Sequence, residues 1–218
     1  MTRIVYASNG DKGRELGWWI HSIPEALQER VVLNNESIVW DELPPYDLGI
    51  SYLYEHKVPA DHWDKWVNFH PAPLPEFGGR NLAYHAIMND AKQFGATLHY
   101  MSEQFDEGPL IEVQRFNIEP WMTAGDLVKE SHKRLESMFK FWVPELVKNK
   151  GIVASFPQDR SKAKYYKKEP INDYPLVSTT METCLNLQRK IRALTCPPNH
   201  YAKIQINGKV YRIVPEDE

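Results

Sequence analysis

With 218 residues, 42% hydrophobic and 25% charged, the chain has an ordinary globular composition, with length for one medium domain and an appendage or for two small lobes. A formal net charge of −3 and a pI near 6.3 leave no basic field of the kind that nucleic-acid binding uses. No apolar run approaches the ~20 residues of a membrane span, and the start, MTRIVYASNGDKG, has no signal-peptide h-region; Cys184 and Cys196 lack the spacing of a zinc or redox site, so a reduced, cytoplasmic setting is expected.

The predicted elements follow in chain order. Ile4-Val5-Tyr6-Ala7-Ser8 is a run of β-formers, followed by the turn Asn9-Gly10-Asp11-Lys12-Gly13 and a helix over about Arg14 to Ser22. That order opens an α/β unit. Val31-Val32-Leu33 and Ile38-Val39-Trp40 are short strand candidates, and Asp47 to Ser51 is a buried, parallel one beyond the Pro44-Pro45 loop. Asp61 to Lys65 makes one helical turn before a strand at Val67-Asn68-Phe69, and Leu82 to Met88 is a helix. Ala96 to Met101 alternates as a strand does, and Leu110 to Ile118 reads as a second strand antiparallel to it.

Thr123 to Lys148 is the longest helical pattern, with Leu127, His132, Leu135, Met138, Phe139, Trp142 and Leu146 recurring at three- and four-residue steps. Past Gly151 the character changes. Residues 157–180 are polar, carry Pro157, Pro170 and Pro175, and keep no period. A helix over about Met181 to Leu194 follows. Asn207-Gly208 between two alternating runs is a hairpin signal, because both turn positions need positive φ.

Chemistry concentrates in NFHPAPLPEFGG, residues 68–79. Asn68 and His70 stand two apart at the carboxyl end of a predicted strand, so they share a side, at the place where open α/β sheets hold ligands. Pro71, Pro73 and Pro75 stiffen the exit. Downstream, Phe105-Asp106-Glu107-Gly108-Pro109 sets a carboxylate in a turn after a second strand. An amide, an imidazole and a carboxylate suit acyl transfer as oxyanion donor, proton shuttle and orienting anion. Their bland reading is a turn amide, a satisfied histidine and a capping carboxylate.

The segments Asn68-Phe69-His70-Pro71-Ala72-Pro73-Leu74-Pro75, Gly78-Gly79, Gly95 to Met101 and Phe105 to Ile111, with Asp106 lying 36 residues after His70, are together similar to the N10-formyltetrahydrofolate-dependent formyltransferases. The resemblance covers about residues 47–150. It implies an α/β, Rossmann-like catalytic domain over 1–150 and a small C-terminal extension over 151–218 ending in a β-hairpin. It implies catalytic roles for Asn68, His70 and Asp106, with no metal because the donor is already activated. Tyr52, Tyr54, His56, Val58, Gln104, Phe105 and Glu107 would meet the folate, the first four in a loop, Ile50 to Pro59, that resembles the folate side of the family. Asn9, Lys12, Phe77, Gly78, Gly79 and Arg80 would meet the acceptor.

The short tail and net acidity speak against a tRNA acceptor, and the first-strand turn matches the glycinamide ribonucleotide branch only loosely. Phe77 to Leu82 and the tail, Pro157-Gln158-Asp159 through Tyr165-Tyr166-Lys167-Lys168, resemble the sugar-nucleotide branch. There the acceptor would be a dTDP- or UDP-linked 4-amino-4,6-dideoxyhexose for lipopolysaccharide O-antigen. Another amine acceptor, such as glycinamide ribonucleotide, and a catalytically silent folate- or nucleotide-binding module are the alternatives. Lys12 is either a loop lysine or a phosphate partner. Tyr165 to Lys168 either stack a base or form a plain polar loop. His85, His99 and His132 read as structural, Trp142 as core, and the hairpin as a surface that packs on a second copy in a homodimer.

Overall fold

A computed structural model describes residues 2–23, 26–27, 32–34, 38–167 and 184–214. Its central sheet has seven strands. Strand β1 (Thr2–Ser8) lies parallel to β2 (Ala26–Leu27) and β3 (Val32–Asn34) on one edge and to β4 (Leu48–Tyr52) on the other. Next come β5 (Trp66–His70), parallel to β4, and then β7 (Gln93–Tyr100) and β8 (Leu110–Asn117), each antiparallel to its predecessor. Two-residue strands β6 (Gly78–Gly79) and β9 (Tyr165–Tyr166) pair with each other, and β10 (Lys203–Ile206) with β11 (Lys209–Arg212).

Strand β4 is buried along its whole length, as a strand covered on both faces must be. Helix α1 (Gly10–Ile20) buries Leu16 and Ile20 against one face, while α3 (Ala124–Lys148) buries Leu135, Met138, Phe139 and Val143. Phe139 gathers the rings of Tyr6, Tyr52 and Phe69 at centroid distances of 5.7, 5.6 and 5.0 Å. A capping box starts α3: Thr123 Oγ1 accepts from the Asp126 amide, and Asp126 Oδ2 accepts from the Thr123 amide. Trp142 is only half-buried, and its indole N–H donates to Glu112. Helix α2 (Leu82–Met88) and helix α4 (Cys184–Ala193) pack together over a second core.

The α/β architecture and the terminal hairpin agree with expectation. At the turn of the hairpin Asn207 and Gly208 have φ of 49° and 77°. Strand β7 begins three residues earlier than predicted, at Gln93. Ile38-Val39-Trp40 is not a strand. Trp40 opens a 3-10 turn and packs edge-on against Trp66, while the Ile38 amide donates to Tyr54 Oη, so aromatic packing replaces a ladder there. Residues 157–167 are ordered against the sheet domain, whereas 168–183, part of the same polar stretch, lie outside the described residues.

Candidate active site

Register builds the site. Ser51 is opposite Asn68 in the β4–β5 pair, and Asn68 is opposite His99 in the β5–β7 pair. Directly opposed residues on neighbouring strands project to one face, so the three side chains form a row. Ser51 Oγ–H donates to Asn68 Oδ1 at 2.8 Å. Asn68 Nδ2 lies 3.1 Å from His99 Nε2, and His99 Nδ1 lies 2.7 Å from the Tyr100 carbonyl oxygen. A carbonyl can only accept, so His99 carries its proton on Nδ1 and accepts from Asn68 at Nε2. Burial pushes His99 down to about 4, against the pull of the Asp106 carboxylate, so the ring is neutral near pH 7. With both flanks of the amide fixed, one Nδ2 hydrogen of Asn68 is left for the cleft.

His70, two residues on, is 4% exposed. Its Nε2 lies 2.8 Å from the Phe77 carbonyl oxygen and so carries a proton, and its Nδ1 lies 3.4 Å from Asp106 Oδ1. Asp106 Oδ2 accepts from the Gly79 amide at 2.8 Å, and Oδ1 is also 3.8 Å from His99 Nε2. The proline-rich exit is tied down by Thr97, opposite His70: its hydroxyl donates to the Ala72 carbonyl at 2.7 Å and accepts from the Leu74 amide at 3.0 Å. Gly79, at φ 98°, passes so near the Tyr166 carbonyl that a Cβ would collide with it. Leu53, Asn81 and Asp106, all on the cleft, also hold positive φ; such conformations are held where a site needs them.

These groups face one cleft of about 770 Å³ at the carboxyl ends of β1, β4 and β5. It is large enough for a folate-sized ligand. Of the residues assigned to the folate, Tyr54, His56, Val58, Gln104 and Phe105 line it; of those assigned to the acceptor, Asn9, Gly79 and Arg80 do. Five of the assigned residues do not line it. Tyr52 is buried at 1% exposure because its ring belongs to the Phe139 cluster. Glu107 turns outward to Arg160 at 3.3 Å. Lys12 is held by Glu15 and Glu136 at 3.1 and 3.0 Å. Phe77 sinks its ring into the second core and offers the site only its carbonyl. Gly78 is covered by Tyr165.

His99 is corrected too, since it stands in the site rather than as a plain structural residue, and His132 lines the cleft from α3 beside Val128 and Ala124. Sequence reasoning missed Ser51 altogether. The alternation of 96–101 placed His99 on the same face as Thr97, but nothing in it gave the register against Asn68. Among the described residues no cluster of His, Cys, Asp or Glu could hold a metal, and no helix is long and apolar enough to cross a membrane.

Residues 57–140 match the formyl transferase family and form a formyl transferase domain. Over 148 residues the chain is 30% identical to a GDP-perosamine N-formyltransferase of Brucella melitensis biotype 1, covering 67% of this chain and 54% of that one. It is 31% identical over 151 residues to a methionyl-tRNA formyltransferase of Thermotoga neapolitana, covering 67% and 45%. The chain thus spans about half the length of these curated relatives. In fold it matches an N-formyltransferase from Helicobacter canadensis, solved with folinic acid and dTDP-3-aminofucose, at a TM-score of 0.78 and 19% identity over 95% of this chain and 85% of that one.

Proposed function

We propose that this protein transfers the formyl group of N10-formyltetrahydrofolate to the amine of a nucleotide-linked amino sugar, such as a dTDP- or UDP-4-amino-4,6-dideoxyhexose. The observation that carries the reading is the Asn68 amide, clamped on both sides with one N–H left over, beside the His70–Asp106 pair in a folate-sized cleft. The amine forms a bond to the formyl carbon, the bond from that carbon to N10 of the folate breaks, and one proton passes from the amine to N10. Asn68 donates to the formyl oxygen as negative charge develops there. In its neutral form His70 takes the amine proton at Nδ1, and the Asp106 carboxylate, 3.4 Å away, stabilises the resulting imidazolium before the proton is returned. The amine must be unprotonated to attack.

The sugar reading is supported by the Helicobacter canadensis protein, crystallised with an amino-sugar nucleotide, and by the GDP-perosamine relative. The methionyl-tRNA relative is as similar in sequence, but a net charge of −3 suits a polyanionic acceptor poorly. A cytoplasmic homodimer serving surface-glycan synthesis completes the proposal. Supplying 10-formyltetrahydrofolate with a panel of amino-sugar nucleotides, glycinamide ribonucleotide and methionyl-tRNA, and following the deformylated folate, tests it. Turnover only with an amino-sugar nucleotide supports it. Turnover with another acceptor, release without any acceptor, or none at all would overturn it in favour of a different transferase, a hydrolase or a binding module.

A further inference from the structure

Asp106 is the site residue held least by its own strand. It sits in a turn between β7 and β8, at φ 61°, where a residue with a Cβ is disfavoured by about 1–2 kcal/mol. A contact from far along the chain also holds that turn. Gln158, in the C-terminal extension, lies 2.7 Å from the Asp106 carbonyl oxygen through Nε2, and the same nitrogen lies 2.7 Å from the Gly108 carbonyl oxygen. One NH2 group has two hydrogens, so both are used and the turn is gripped on either side of Glu107. Gly108 admits no side chain, because a Cβ there would collide with the Tyr100 carbonyl.

The rest of the segment is fastened at both ends. Phe156 exchanges two backbone hydrogen bonds with Leu110, at 2.9 and 2.8 Å. Lys164 donates to the Pro75 carbonyl at 3.1 Å and accepts from the Gly78 amide at 2.9 Å, and Tyr166 accepts from the Arg80 amide at 2.9 Å. Residues 156–166 therefore strap the Asp106 turn to the Gly78–Gly79 loop. Those are the two loops joined by the Gly79 amide and Asp106 Oδ2.

We propose that Gln158 is a positioning residue for the transfer, holding the Asp106 turn so that Oδ2 meets the Gly79 amide and Oδ1 faces His70. It rests on the formyl-transfer reading, and its test includes a readout that needs no substrate. Gln158→Ala and Gln158→Glu both lose the two donated hydrogen bonds, and the second keeps the size of the side chain. Each is expected to lower kcat roughly 10- to 100-fold with KM for folate and acceptor little changed, and to leave the melting temperature near that of the parent. In an Asp106→Ala background the Gln158→Ala change is expected to alter kcat by less than about twofold, as coupled residues do. Without substrate, the Gly79 amide proton is expected to move upfield and exchange faster in both variants.

A Gly79 amide that does not move, an effect that multiplies fully with Asp106→Ala, or a loss that appears only in KM would overturn the proposal. If the parent transfers nothing to any acceptor while the Gly79 amide still shifts, the reaction is misread and the clamp stands.

Discussion

The strand ends that carry the site and the C-terminal hairpin are opposite solutions to presenting polar and apolar groups. At the site, Ser51, His70, Thr97 and His99 are all buried, each hydroxyl or ring nitrogen named above has a partner, and four elements distant in sequence meet. In the hairpin, Ile206, Val210 and Tyr211 are about half exposed or more, at 51, 54 and 49%, and the turn is fixed by two backbone conformations of positive φ. Low exposure with full hydrogen bonding makes a geometry hard to perturb without loss. An exposed two-stranded ribbon is held mainly by its turn. Function that depends on ångström placement therefore belongs to the first region, and the second is a surface that change should reach without touching the chemistry.

Breaking the comparison starts with Asn68→Ala. It removes the donor to the developing oxyanion and should lower kcat about 10²- to 10³-fold, measured under saturating formyl donor, and it should lower the melting temperature too, because buried Ser51 and His99 lose their partner. Near-parental turnover would remove Asn68 from the chemistry. Gly79→Ala should cost about 2–3 kcal/mol of stability as well as activity, because the new methyl group meets the Tyr166 carbonyl and φ is 98°. Urea unfolding measures it, and an unchanged midpoint would show that the β6–β9 pair yields.

The pH dependence sharpens the contrast. His99 has its folded value lowered by burial to about 4 from the ordinary 6.5, so between those values the unfolded chain binds the extra proton. Stability from this group is complete above about 6.5 and is lost as pH falls toward 4. Burial lowers His132 as well, so it adds in the same direction. Replacing His99 by asparagine should flatten the slope of unfolding free energy between pH 6.5 and 4; an unchanged slope would assign the effect elsewhere. The smallest effect is expected from Gly208→Ala, at φ 77° with open space around it, which should loosen the hairpin by about 1 kcal/mol and leave kcat alone. A fall in kcat there would mean that the hairpin reaches a site, its own or a second copy's.

Most of the frame was legible because local chemistry fixes it. The prolines of 71–75 forbid helix, alternation around 96–101 needs a strand, and the apolar steps from Leu127 to Leu146 need a helix. The Asn68–His70 spacing placed both on one side for the same reason, a strand's period of two. Local patterns misled where packing outbid them: Ile38-Val39-Trp40 is β-forming by composition, yet Trp40 turns to Trp66.

By itself, then, the sequence determined an α/β domain with Asn68, His70 and Asp106 as its candidate chemistry, and a hairpin turning at Asn207-Gly208. Only the tertiary structure decided what surrounds the three. Register between strands chose Ser51 and His99 as the partners of Asn68, and chain return from residues 156–166 brought Gln158 to the Asp106 turn. Both depend on separations of 17 to 52 residues, over which a sequence carries a period but no register.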